Sequence, residues 1–174
     1  MLLIDKLEKL PAEYLNTPIQ KLIEYHNFNK PHEEYNQPKL LIGTCMDYRV
    51  NLKIPDKFAF IIRNGGASLR HNDFQIAFGL TVGGCEAIAV IGHTDCGMAN
   101  LQQKQSTFVD KFVNKLNYEE KIAEDFFLTK SPENEIYNEI DFTKQQVAEL
   151  SEKYPNIPVI GLIYEVKDNL LYLI

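Results

Sequence analysis

At 174 residues, with 45% apolar and 24% charged side chains and a net charge of −6, the chain reads as one globular domain with a substantial hydrophobic core. The acidic balance excludes the basic stripe that nucleic-acid binding requires, so a small anionic substrate would depend on a local positive centre. Charges interrupt the apolar residues of the opening segment, no run approaches a membrane-spanning length, and three cysteines do not make a disulfide framework. A cytoplasmic protein that meets neither membrane nor nucleic acid is expected.

The opening segment reads as helix. Thr17-Pro18-Ile19-Gln20 offers a capping threonine, a proline at the first helical position and a glutamine three residues after the cap. Ile19, Leu22, Ile23 and His26 then share one face, and this helical extension (1–37) is expected outside the core or against another subunit. Asn27 to Gln37 is a polar connector into an α/β core spanning 38–174. Lys39 to Cys45, Phe58 to Arg63, Glu86 to Gly92 and Ile157 to Tyr164 are short apolar runs of the kind that form buried strands. Between them, Asn72 to Gly84 reads as a helix bearing Ile76, Phe78, Leu80 and Val82. Lys111 to Lys130 reads as a solvated amphipathic helix or helix pair, and Thr143-Lys144-Gln145-Gln146 reads as the capping box of a further helix. The alternation predicts an α/β fold with a mostly parallel central sheet flanked by helices.

In such sheets ligands gather beyond the carboxyl ends of the strands. The predicted strand ends carry Cys45-Met46-Asp47-Tyr48-Arg49, Arg63-Asn64-Gly65-Gly66 and His93-Thr94-Asp95-Cys96. Two thiolates and an imidazole (Cys45, His93, Cys96) form a ligand set that suits zinc, with Asp47 and Arg49 in reach of the same ion. Two thiolates cancel the charge of zinc and weaken its power to acidify water, so the neighbouring carboxylate and guanidinium would have to assist. Three alternatives stand beside a catalytic centre. Cys45, Asp47, His93 and Cys96 can be read as four ligands of a structural zinc; His93 can be read as base to a nucleophilic cysteine, which leaves the second cysteine idle; and each cysteine alone can be read as a small buried hydrophobe, the reading adopted for Cys85.

Cys45-Met46-Asp47-x-Arg49, Arg63-Asn64-Gly65-Gly66-Ala67 and Gly92-His93-Thr94-Asp95-Cys96-Gly97-Met98, in this order and spacing, resemble the β-class carbonic anhydrase family. Gly161 to Val166 is similar to that family's last core strand. The resemblance implies a zinc enzyme whose metal is held by Cys45, His93 and Cys96, and whose zinc-bound hydroxide converts carbon dioxide reversibly to bicarbonate. It implies catalytic roles for Asp47 and Arg49, with Asp47 either paired to the arginine or swung onto the metal as a fourth ligand that closes the site. It also implies a homodimer or higher oligomer with the site near the subunit interface. Relatives with the same ligands hydrolyse carbonyl sulfide or carbon disulfide, which makes that activity the enzymatic alternative. A non-catalytic zinc protein with Asp47 fixed on the metal is the other.

Tyr48 stands where many relatives carry serine or alanine. It either narrows the pocket or turns into the core with its hydroxyl bonded, and the second is the expectation. Asn51-Leu52-Lys53 lacks an acidic residue common after the arginine. His71 and His26 are weak candidates for a proton shuttle.

Overall fold

The computed structural model describes residues 1–174. Its sheet has six strands in the order β1-β6-β5-β4-β2-β3: β1 (Leu2–Leu3), β2 (Leu40–Cys45), β3 (Ala59–Asn64), β4 (Ala87–His93), β5 (Val159–Glu165) and β6 (Leu170–Leu173). The four long strands β3, β2, β4 and β5 run parallel, while β6 and β1 add an antiparallel edge. The parallel α/β core therefore matches expectation. The two short strands β1 and β6 were not legible, because neither is long enough to register as a periodic pattern.

Each central strand is buried on both faces, so successive side chains feed different layers. Leu40, Ile42, Ala87, Ala89, Ile91, Ile160 and Leu162 point into one cluster, where helix α1 (Pro18–His26) contributes Ile19, Leu22, Ile23 and Tyr25. Leu41, Ile88, Val90 and Val159 point the other way. They pack against Ile76 of α2 (Asp73–Leu80) and Leu150 of α5 (Glu139–Lys153). Helix α1, capped by Thr17 as predicted, is thus part of the core rather than an outlying arm: its apolar face is needed to cover one side of the sheet.

Three further expectations need correction. β3 is not a buried strand but an open edge of the sheet, with Phe60 and Ile61 exposed. Helix α2 ends at Leu80 rather than Gly84, and both Phe78 within it and Val82 beyond it lie on the surface. Thr143 does not open a helix. Asn138 does, its side chain accepting from the Ile140 and Asp141 amides at 3.0 Å, while Thr143 lies buried in the next turn and donates to the Glu139 carbonyl at 2.7 Å. The charged stretch before it resolves into a pair, α3 (Gln105–Leu116) and α4 (Glu120–Asn134), separated by Asn117 in the left-handed conformation. No helix is long and apolar enough to cross a membrane.

Candidate metal centre

β2 and β4 are adjacent and parallel, with Thr44 opposite Ile91. Their last residues, Cys45 and His93, therefore emerge side by side at the carboxyl edge of the sheet. The turn that follows β4 returns Cys96 to the same point. The sulfurs of Cys45 and Cys96 and a ring nitrogen of His93 lie within 4.8 Å of one another, and all three residues are buried. The cysteines are free, their sulfurs 3.9 Å apart, well beyond the roughly 2.05 Å of a disulfide.

The three side chains of this cluster shift one another's protonation. Contact with the Cys96 thiol draws Cys45 down to about 4 against the effect of burial, with His93 adding to the pull. The same contact, together with burial, pushes Cys96 up. As bare thiols the two therefore hold one proton between them. Burial opposes protonation of His93, but the Cys45 sulfur, the Thr94 carbonyl and the Asp47 carboxylate together outweigh it and raise the imidazole. The His93 ring donates through Nδ1 to the Thr94 carbonyl at 2.9 Å, which in the neutral ring puts the proton on Nδ1 and a lone pair on Nε2. That Nε2 atom is buried and has no hydrogen-bond partner. An orphaned acceptor facing two sulfurs is the geometry of a metal ligand set.

Asp47 and Arg49 flank the cluster. Both Asp47 oxygens are engaged: Oδ1 accepts from the Arg49 amide at 2.9 Å and Nε at 3.0 Å, and Oδ2 accepts from Nη2 at 2.7 Å. The guanidinium holds the Asp47 carboxyl at about 2, against a smaller opposing effect of burial. Oδ2 sits 3.9 Å from His93 Nε2.

The surrounding loops are tied to the three cluster residues. Arg63, at the end of β3, donates to the Cys45 carbonyl and the Val50 carbonyl, each at 3.0 Å. Gly66 adopts φ +65°, where a side chain is both strained and obstructed: a Cβ there would lie 2.7 Å from Ile136. The Cys96 amide donates to Glu139 Oε1 at 3.0 Å. Thr94 donates to Glu165 at 2.9 Å and accepts from the Val166 amide at 3.1 Å.

Sequence reasoning missed Glu139, because a carboxylate 43 positions from its partner leaves no local pattern. Asp95, though inside a quoted motif, was given no task. Tyr48 requires a correction: it is 91% exposed and enters neither the core nor the cluster. The residues before Arg49 form a turn closed by the Val50 amide on the Asp47 carbonyl, which turns Tyr48 outward. His26 serves the fold, with Nε2 bonded to the Asn169 carbonyl and Nδ1 accepting from the Lys53 amide, both at 3.0 Å. Burial lowers it to about 4. His71 is exposed, and Cys85 is a core residue packed near Leu41 and Ile76.

Fold and site together define an α/β protein with a thiol–imidazole cluster able to hold a metal ion at the carboxyl edge of a parallel sheet. A family model described as carbonic anhydrase matches residues 40–170, and the chain belongs to that family of enzymes, in its β class. Its fold is similar to that of a carbonic anhydrase from Glaciozyma antarctica, at 22% identity over 94% of this chain and 99% of that one, with a TM-score of 0.62. A β-carbonic anhydrase from Trichomonas vaginalis gives 0.64 at 22% identity, covering 88% and 91% of the two chains. The apo form of a carbon disulfide hydrolase gives 0.56 at 23% identity, covering 94% and 91%. No curated protein matches the chain in a comparison by sequence.

Proposed function

We propose that the protein is a zinc-dependent carbonic anhydrase that interconverts carbon dioxide and bicarbonate, with Cys45, His93 and Cys96 as its metal ligands. The observation that carries this reading is the buried, unpartnered His93 Nε2 facing two sulfurs 3.9 Å apart. Tetrahedral zinc with bonds of about 2.3 Å to sulfur separates two thiolates by about 3.8 Å, close to the spacing already present. When bound, zinc supplies Lewis acidity and an acidified water as nucleophile near neutral pH.

The chain's own residues supply position and orientation. Asp47 is ionised at every physiological pH, since Arg49 holds it at about 2. It is far too weak a base to carry the reaction's proton and acts instead as a fixed hydrogen-bond acceptor. The 3.9 Å between Oδ2 and His93 Nε2 supports a role for Asp47 as acceptor of the O–H of the attacking oxygen, which would orient a lone pair toward carbon dioxide. Arg49 occupies both Asp47 oxygens, which favours the open form over a permanent fourth ligand. The proton released has no side chain assigned to it and leaves through solvent.

Stopped-flow hydration of carbon dioxide by the zinc-loaded protein, run beside a sulfide-release assay with carbonyl sulfide and carbon disulfide, tests the proposal. Hydration without sulfide release is expected. Sulfide release alone would establish the alternative that the hydrolase-like fold keeps open. Neither activity, with zinc bound, would leave a non-catalytic zinc protein.

We also propose a homodimer joined through the open β3 edge. Phe60 and Ile61 are exposed there beside Phe74 and Phe78 of α2, and an unpaired apolar edge strand is a surface that natural proteins cover. Three unpaired core thiols favour a reducing compartment, and the proposed location is the cytoplasm.

A further inference from the structure

Arg49 has a second carboxylate partner. While Nε and Nη2 face Asp47, Nη1 donates to Asp95 Oδ2 at 2.8 Å and Nη2 donates to the Asp95 backbone carbonyl at 2.9 Å. Asp95 stands in the left-handed region at φ +58°, the conformation that aims its carboxylate and its own carbonyl at the same guanidinium. Its side chain is 85% exposed and has no other protein partner, so it serves no packing role. Arg49 therefore links the loop after Cys45 to the loop carrying His93 and Cys96.

We propose that Asp95 is a positioning residue which clamps the outer edge of the Arg49 guanidinium, so that the inner edge keeps Asp47 turned away from the metal position. The inference rests on the reading of Cys45, His93 and Cys96 as metal ligands. The physical basis is entropic as well as electrostatic. An arginine side chain held at one edge only retains much of its rotamer freedom. A guanidinium gripped on two edges is fixed in plane and presents a rigid fork to Asp47. Asp47 Oδ2, 3.9 Å from His93 Nε2, needs only a modest swing to join the ligands once that fork loosens. Because the Asp95 carboxylate is exposed, its contribution is that of a surface pair. Its loss should move the balance between the open and closed arrangements about two- to fivefold.

Two measurements test this. In the metal-free protein, nitrogen–proton spectra of arginine side chains should show the Arg49 Nη protons as separate signals. In Asp95→Gly, which suits the left-handed backbone, they should average, and Asp95→Asn should fall between. In the cobalt(II)-substituted protein at fixed pH, the visible spectrum reports whether a carboxylate has joined the metal. Asp95→Gly should raise that closed fraction about two- to fivefold, and adding Asp47→Asn should abolish the increase. An unchanged closed fraction and unaveraged Arg49 signals in Asp95→Gly would overturn the role of Asp95 while leaving the metal centre standing. Failure of the parent protein to bind cobalt or zinc would overturn both.

Discussion

Replacing Gly92 by alanine probes how the end of β4 that carries His93 is seated on helix α5. A Cβ at this position would lie 2.5 Å from Thr143 Oγ1, 2.9 Å from Ile163 Cδ1 and 3.5 Å from the Glu139 carbonyl oxygen. The first two distances are shorter than carbon tolerates, and the nearer neighbour does not yield easily. Thr143 is buried and β-branched on a helix, with its hydroxyl committed to the Glu139 carbonyl at 2.7 Å. Forcing a methyl group into such a seat costs about 1–3 kcal/mol, equivalent to roughly 2–12 °C in Tm for a domain of this length. Thr143→Ala removes the atom responsible for the closest contact. The double variant should therefore recover part of the loss, with a coupling of at least about 0.5 kcal/mol. Urea unfolding of the parent, both single variants and the double variant measures this directly. Metal retention against a chelator should fall along with stability, because Glu139 Oε1 holds the Cys96 amide at 3.0 Å. The reasoning is refuted if Gly92→Ala is as stable as the parent, or if the two substitutions prove strictly additive.

His93→Ala should abolish tight metal binding, measured by metal analysis after dialysis, and should remove the stabilisation of about 2.7 kcal/mol expected at a hundredfold excess of metal over Kd. Asp47→Asn should keep the metal but lower carbon dioxide hydration about 10- to 150-fold, the factor corresponding to one lost charged hydrogen bond of about 1.5–3 kcal/mol; metal loss instead would mark Asp47 as a ligand. His26 is lowered from 6.5 to about 4 by burial, so its protonation favours the unfolded chain. Stability should be full above pH 6.5 and decline by up to about 3 kcal/mol as pH falls toward 4, and denaturant titrations of His26→Gln should show a flatter profile over that window. Ile61→Lys on the β3 edge should shift the protein to a monomer in light scattering after size exclusion, and an unchanged mass would place the subunit contact elsewhere.

Much of the centre was legible because its determinants are local. Apolar runs ending in Cys45 and in Gly92-His93 announce buried strands, and parallel strands in one sheet bring their carboxyl ends to one edge whatever the loops do. The same locality explains the correct start of α1, where Thr17 and Pro18 both belong to the cap. It also explains the error at α5. Asn138 and Thr143 each offer a hydroxyl- or amide-type cap, and only the packing of Thr143 against Gly92 shows that its hydroxyl is spent inward on Glu139.

By itself, the amino-acid sequence determined the α/β class, the order of the parallel strands' chemistry along the chain, and the set of thiols, imidazole, carboxylate and guanidinium that gather at the sheet edge. Those properties follow from hydrophobic periodicity and from short motifs, which act over a few residues. Only the tertiary structure decided that β3 is an open edge, that α1 belongs to the core and that Tyr48 faces solvent. It alone decided that Arg49 is shared between Asp47 and Asp95, and that Glu139 holds Cys96 in place. Each of these depends on which distant segments meet, and a hydrogen bond spanning 43 or 46 positions leaves no periodicity to read.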